Sequence, residues 1–353
     1  MRSVGADDIH RLLDYPSLVA ALREMFRAGC EVPLRHHHTI LAPDSNAAPG
    51  TLLLMPAWQN GRSLGVKIVT VFPDNTRRSL PAVQGTYLLL DAATGVPKAL
   101  LDGTALTLRR TAAASALAAG FLARPDSAVH LMVGTGALAP HLAAAHAAVR
   151  PIRRTLVWGR NPEKAMALAA RLVSDGLAAE PVADFAEAVG GADIVTCATL
   201  ASEPLIRGEW LRPGTHLDLV GGYTPEMREA DDEAVRRARV YIDTEAALHE
   251  AGDIVQPLRS GVLIRDKIAG DLFALARGQC VGRQTPTEIT FFKSVGSALE
   301  DLAAAELAVS RLEETPSSRR RPGPTPQAPL RRESGSRPEF ILGPRGARTR
   351  GPG

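Results

Sequence analysis

The sequence predicts an α/β chain built on a doubly wound parallel sheet, with an N-terminal α+β region attached. Three observations carry this. From residue 129 onward, short apolar segments alternate strictly with helix-patterned ones, as parallel strands with helices on both faces require. A glycine-rich turn, Gly134-Thr135-Gly136-Ala137-Leu138-Ala139, joins the first of those strands to the first of those helices. Before residue 106 the texture differs: extended segments follow one another with only turn residues between them, the pattern of antiparallel pairing.

Taken in order, DDIHRLLDYPSLVAALREMFRAGC reads as a short cap followed by an amphipathic helix, with Leu18, Val19, Leu22 and Phe26 on one face. LRHHHTIL, TLLLMPAW, SLGVKIVTVF and GTYLLLDAATGVPKALLDG read as strands, with turns at Asn60-Gly61 and Thr94-Gly95. LTLRRTAAASALAAGFLARPDS is an Ala-rich helix ended by Arg124-Pro125. The alternation then runs through six strands: 129–134, 155–159, 179–184, 192–199, 215–222 and 239–244. Helices fall between the earlier ones, and residues 294–314 form a long amphipathic helix.

Composition narrows the function classes. Of the 353 residues 45% are hydrophobic and 22% charged, ordinary values for a folded globular protein. No run approaches the roughly 18 apolar residues of a membrane span. Asp7, Asp8 and Arg11 break any N-terminal secretory h-region. Cys30, Cys197 and Cys280 are too far apart for a disulfide framework or a zinc knuckle, so a reduced, cytoplasmic protein is expected. In the last 38 residues nine arginines face two glutamates, a charge of +7 that leaves −4 on the first 315. That tail, 316–353, is rich in Pro, Gly, Ser and Arg and reads as a disordered extension. The acidic body offers no basic stripe, so neither nucleic acid nor membrane is the expected partner.

The glycine turn has a specific physical reading. Gly134 allows a tight bend, Gly136 lets the backbone approach a pyrophosphate, and Ala139 permits close helix–strand packing. The helix N-terminus beyond it presents free N–H groups to the phosphates. Strand, turn and helix in this order predict a Rossmann dinucleotide site that includes Thr135, Ala137 and Leu138. At the end of the second strand, where an NAD site carries an acid for the ribose 2′-hydroxyl, the sequence has Gly159-Arg160-Asn161 with Lys164 beyond. A guanidinium there suits a 2′-phosphate, so NADPH is the expected cofactor, with NADH as the alternative.

Outside the turn, GVKIVTVFPDN (65–75), LPAVQGTYLLLDAATGVPKALLDG (80–103), LRRTAAASALAA (108–119), VGTGALAP (133–140), VGGYTPEMREADDE (220–233) and FFKSVGSALEDLAAA (291–305) together resemble the ornithine cyclodeaminase/μ-crystallin family over about residues 5–312. The resemblance implies a substrate-binding and dimerisation domain over residues 1–115, to which 294–314 returns. It also implies a Rossmann NAD(P)-binding domain over 116–293 and a homodimer paired through the N-terminal sheets. By the same resemblance Arg110 and Arg35 clamp a substrate carboxylate, and Met55 walls the pocket. Lys67 either protonates the reacting nitrogen or adds a carboxylate contact, while Thr111, Ser294, Val295 and Gly296 lie beside the cofactor. Without that resemblance, Lys67 would read as a solvated strand charge.

Where the family's cyclodeaminases carry a catalytic Asp, after Val220-Gly221-Gly222, this chain has Tyr223. A phenol with a pKa near about 10 is a poor base at neutral pH. The expectation is therefore an oxidoreductase of the imine-reductase branch. It would reduce 1-pyrroline-2-carboxylate to L-proline, or its six-membered homologue 1-piperideine-2-carboxylate to pipecolate. Ornithine cyclodeamination and a non-catalytic NADPH-dependent ligand binder are the rivals. No metal is expected: His36, His37 and His38 alternate sides in a strand and cannot converge with Asp44 on one ion. Cys197 reads as core, Asp231-Asp232-Glu233 as a helix N-terminal charge cluster, and His216 as a residue near the carboxyl end of the sheet.

Overall fold

The computed structural model describes residues 1–41 and 48–314, which form one compact unit. Asp44 and the tail 316–353 lie outside the described residues. The N-terminal sheet has six strands: β1 (Arg2–Val4), β2 (His36–Ile40), β3 (Gly50–Gln59), β4 (Ser63–Val71), β5 (Val83–Asp91) and β6 (Pro97–Asp102). Their order is β1-β6-β5-β4-β3-β2. β2 through β6 meander antiparallel, and β1, unpredicted because it is three residues long, pairs parallel to β6. Period-two alternation decides the faces: Ser63, Gly65 and Lys67 of β4 are buried, and Leu54 pairs with Ile68 on the opposite side.

Helix α1 (Ala6–Leu12) occupies the stretch read as a cap, and α2 (Tyr15–Ala28) is capped by Asp14, whose side chain accepts the Ser17 N–H at 3.0 Å. Helix α3 (Gly103–Leu122) starts earlier than expected because Asp102 caps it through the Ala105 N–H at 2.8 Å. It is buried nearly all round, and it touches α2, β5 and β11 as well as later helices. Its run of buried alanines lets the neighbouring elements approach it closely. It also runs unbroken through residues 115 and 116, where the expected domain boundary falls.

The second sheet has eight strands: β7 (Val129–Val133), β8 (Arg154–Trp158), β9 (Ala179–Pro181), β10 (Ile194–Cys197), β11 (His216–Leu219), β12 (Ala238–Ile242), β13 (Ile268–Asp271) and β14 (Ile289–Lys293). All pairs are parallel, in the order β13-β12-β14-β11-β10-β7-β8-β9. The doubly wound sheet is thus as the alternation predicts, with the chain reversing direction across the sheet between β7 and β10. Strands β13 and β14 were not anticipated. The first is four residues interrupted by Gly270, and the second merges in sequence with the apolar run of the final helix. The helices are α4 (Ala139–Val149), α5 (Pro162–Ser174), α6 (Phe185–Gly191), α7 (Asp232–Arg237), α8 (Ala247–Glu250), α9 (Gly252–Ser260), α10 (Leu272–Ala276) and α11 (Ala298–Glu314). Helix α11 begins four residues later than expected and packs on α2, α3, β3 and β4, returning the chain to the first sheet. No helix among the described residues is long and apolar enough to cross a membrane.

Candidate active site

At the carboxyl end of β7 the chain makes the predicted glycine turn. Gly134 has φ +110°, and a Cβ on it would lie 2.6 Å from the Ala198 carbonyl oxygen, so only glycine fits where β7 meets the β10 loop. Gly136 and Ala137 are exposed, and a Cβ at Gly136 would meet nothing within 4 Å. Helix α4 has no side-chain cap, and no acceptor among the described residues takes the N–H groups of Thr135, Gly136, Ala137 or Leu138. Free N–H groups at an open helix N-terminus fit a dinucleotide pyrophosphate. Gly159 packs on Thr135, bringing the end of β8 beside the turn. Arg160 and Lys164 are exposed there. Asn161 is spent differently, since its side chain caps α5 by accepting the Lys164 N–H at 3.1 Å.

Buried acids pin the other loops at this edge. Asp243, at the end of β12, accepts the N–H groups of Val295 and Gly296, each at 2.7 Å, and so fixes the Ser294-Val295-Gly296 segment after β14. Burial raises its carboxyl pKa, and these bonds oppose the rise. Glu229 takes the Thr199 N–H at 2.8 Å and the Gly221 N–H at 2.9 Å, tying the β10 and β11 loops together. Asp253 accepts the Glu229 N–H at 2.8 Å, and the fully buried Lys293 ammonium lies 3.5 Å from it. Tyr223, just past Gly222, is 56% exposed.

Between the two sheets, at this same edge, lies a cavity of about 480 Å³ whose walls include Arg35, Met55, Glu245, Glu250, Phe273 and Gly296. Arg35 stands 3.2 Å from the Glu250 carboxylate and 3.5 Å from the Gly296 carbonyl, bridging the two halves. Behind the wall sits a four-residue ionic cluster. Lys67 is 2% exposed, and its Nζ is 2.6 Å from Asp301 Oδ2. Arg110 Nε donates to Asp301 Oδ1 at 3.0 Å and its Nη1 to Glu300 Oε2 at 2.7 Å. Met55, which lines the cavity, is the cross-strand partner of Lys67. Gly296, also in the wall, lies directly on the Arg110 guanidinium. The two basic groups are therefore one layer behind the cavity, and Nη2 of Arg110 has no hydrogen bond among the described residues.

Burial sets the electrostatics here. It lowers the Lys67 pKa to about 8, the attraction of Asp301 opposing and the charge of Arg110 adding to the fall. It pushes Glu300 up to about 7 against the pull of Arg110. For Asp301 the Lys67 and Arg110 cations outweigh burial and hold the carboxyl below its usual range. Lys67 and Glu300 are thus the two members of the cluster whose protonation can change near neutrality, while Arg110 and Asp301 stay charged.

The structure brings together Arg35, Met55, Lys67, Arg110 and Gly296 around the cavity, with Thr111 following Arg110 on α3. Gly134, Thr135, Gly136, Ala137, Leu138, Arg160 and Lys164 gather at the turn. His216 is a correction: it opens β11, at the opposite edge of the sheet, fully buried and bonded through Nδ1 to Thr290 Oγ1 at 2.9 Å. Of the histidine run, His36 and His38 share one face with rings 6.2 Å apart, while His37 points to the cavity. Sequence reasoning missed Asp243, Glu229, Asp253, Glu250, Glu300 and Asp301. Their one signal is a charge inside an apolar run, as in SALEDLAAA, and solvated helix faces give the same signal.

A turn of this kind at the carboxyl edge of an eight-stranded parallel sheet, with an antiparallel sheet closing a cavity over it, defines a Rossmann-class α/β protein with an appended N-terminal sheet. Comparison with known proteins is specific beyond that class. The model of the ornithine cyclodeaminase/mu-crystallin family matches residues 12–315, and the chain belongs to that family. Protein SAR DEFICIENT 4 of Arabidopsis thaliana is 44% identical over 283 residues, 78% of this chain and 85% of that protein. The Delta(1)-pyrroline-2-carboxylate reductase of Paracoccus denitrificans is 44% identical over 260 residues, 72% of this chain and 82% of that one. The Thermococcus litoralis Delta(1)-pyrroline-2-carboxylate reductase, solved with NADH and L-proline, superposes with a TM-score of 0.81 at 35% identity, covering 89% of this chain and 98% of that one.

Proposed function

We propose that this protein is an NAD(P)H-dependent ketimine reductase that converts 1-pyrroline-2-carboxylate to L-proline, with 1-piperideine-2-carboxylate as a second substrate. The observation that carries the reading is the Lys67–Arg110 pair held one layer behind a cavity at the carboxyl edge of the nucleotide-type sheet. Relatives named as reductases of this imine, one solved with NADH and L-proline, support it.

In this reading residues 116–293 bind the nucleotide, while 1–115 and the returning helix bind substrate. The N–H groups from Thr135 to Leu138 receive the pyrophosphate. Arg160, with Lys164, meets a 2′-phosphate, so NADPH is preferred over NADH. The bound dinucleotide supplies a hydride. Arg110, through its free Nη2, and Arg35, shared with Glu250, hold the substrate carboxylate and fix the C=N bond in one orientation. Such positioning removes several kcal/mol of entropic barrier. The Lys67 ammonium gives a proton to the imine nitrogen, and a pKa of about 8 suits a general acid at neutral pH. Met55 and Phe273 offer the ring an apolar wall.

The outer face of the N-terminal sheet supports a homodimer. Ile40, Ile68 and Leu100 are 41%, 37% and 37% exposed on that face, a patch that monomers usually cover. Three free cysteines fit a reducing compartment, the cytoplasm.

The test is to follow nicotinamide absorbance with 1-pyrroline-2-carboxylate plus NADPH or NADH, beside ornithine plus NAD⁺ with ammonia assayed. Fast imine-dependent oxidation of the reduced nucleotide is expected. Ammonia release from ornithine without imine reduction would overturn the reading.

A further inference from the structure

Asp301 is the group that joins the two basic side chains. It belongs to the first turn of α11, where a carboxylate is favoured by the helix dipole, and it has no exposed surface. One oxygen meets Lys67 Nζ at 2.6 Å and the other Arg110 Nε at 3.0 Å. The side chain of its neighbour Glu300 meets, among the described residues, Arg110 alone, at 2.7 Å.

Around Lys67 the remaining elements offer no substitute. β3 presents Met55 and β5 presents Tyr87. The Tyr87 phenol is driven far up by burial and stays neutral. α3 presents Arg110, another cation, and Glu300 acts on Lys67 only from a distance. Farther out, Glu306 and Cys30 bear on Tyr87 rather than on Lys67, and burial pushes the Cys30 thiol up to about 12. Among the described residues Asp301 is therefore the only carboxylate in contact with the Lys67 ammonium.

We propose that Asp301 is a positioning residue for proton delivery: its bridging carboxylate keeps the Lys67 ammonium charged and fixed beside Arg110, one layer behind the cavity in which the imine would sit. This rests on the reading of Lys67 as the proton donor. In the step concerned, the hydride adds to the imine carbon and the C=N π pair moves to nitrogen. That pair takes a proton from Lys67 Nζ, and the N–H electrons stay on the now neutral amine. Water reprotonates the amine, which Asp301 stabilises as ammonium for the next turnover.

The test compares Asp301→Asn, Glu300→Gln and Lys67→Met with the wild type in pH profiles of kcat for imine reduction. Nucleotide binding is measured separately by fluorescence. Loss of an adjacent opposite charge moves a pKa by about 1–3 units, so Asp301→Asn should shift the alkaline limb down by about that much. At pH 8 kcat should fall about fivefold or more, with nucleotide affinity unchanged. Glu300→Gln should move the limb less, because Glu300 acts on Lys67 only from a distance. Should Asp301→Asn fail to fold, Asp301→Ser, which leaves room for a water, is read in its place. An alkaline limb that stays put in the folded variant, or that moves equally in Glu300→Gln, overturns the proposal, as does failure of both Asp301 variants to fold. Full activity in Lys67→Met instead overturns the reading on which it rests.

Discussion

Replacing Gly296 by alanine tests whether the Arg110 guanidinium lies where the cavity needs it. The residue has φ +81°, and a Cβ would fall 2.3 Å from Arg110 Nη1 and 2.9 Å from Nη2. The left-handed conformation alone costs an alanine about 1–2 kcal/mol. The guanidinium cannot retreat freely, because Glu300 and Asp301 hold it at 2.7 and 3.0 Å. The loop cannot lift without losing the Asp243 bonds to Val295 and Gly296. Overpacking of this kind adds about 1–3 kcal/mol. At about 2 °C per kcal/mol for a chain of this size, the melting temperature should fall by about 4–10 °C. A displaced Arg110 loses a charge-assisted bond to substrate worth about 1.5–3 kcal/mol, so KM for the imino acid should rise about 10- to 100-fold. Thermal denaturation and steady-state kinetics read both numbers. Wild-type melting together with wild-type KM would refute the packing argument.

Other consequences are open to direct measurement. With Lys67 as the proposed proton donor, kcat for imine reduction should fall as pH rises through about 8, while proline oxidation, which would need the neutral amine, should rise over the same interval. A reversed or flat pair of profiles would count against the donor assignment. Lys67→Met should lower kcat by about 10²–10⁴ and leave nucleotide affinity, read by fluorescence titration, at the wild-type value. Arg160→Glu should raise KM for NADPH about tenfold or more, leaving NADH nearly unaffected; equal effects on the two would remove the 2′-phosphate role. Ile68→Glu places a charge on the outer sheet face and should shift the sedimentation profile from dimer to monomer, with little change in the backbone circular dichroism.

The parallel sheet is legible in the sequence because its strands are buried on both faces, so VHLMV, TLVW and IVTC stand out as apolar runs between helices. The glycine turn is legible for a related reason: at Gly134 a positive φ and the nearby Ala198 carbonyl leave few other residues acceptable. β13 escapes notice because its residues are only half-buried and a glycine interrupts them. Lys67 and Arg110 could be singled out only through the family resemblance, since by themselves a lysine in a strand and an arginine in an Ala-rich helix look ordinary. Asp301 and Glu300 stayed hidden for the converse reason. At an N-terminal helix turn, acids are expected on solvent-facing ground, and only the tertiary packing of α11 against β4 turns them inward.

Helix α3 bears on how this chain can be divided. It carries Arg110 under the cavity wall, and one turn and a half later Ser115, whose hydroxyl donates to Asp218 of β11 at 3.1 Å. A single rod thus registers the two sheets against each other. A split-protein design that cuts at residues 115 and 116 would leave each fragment with a broken, largely buried helix to hide. The reassembling breakpoint should instead be sought in an exposed connection such as the Thr94-Gly95 turn.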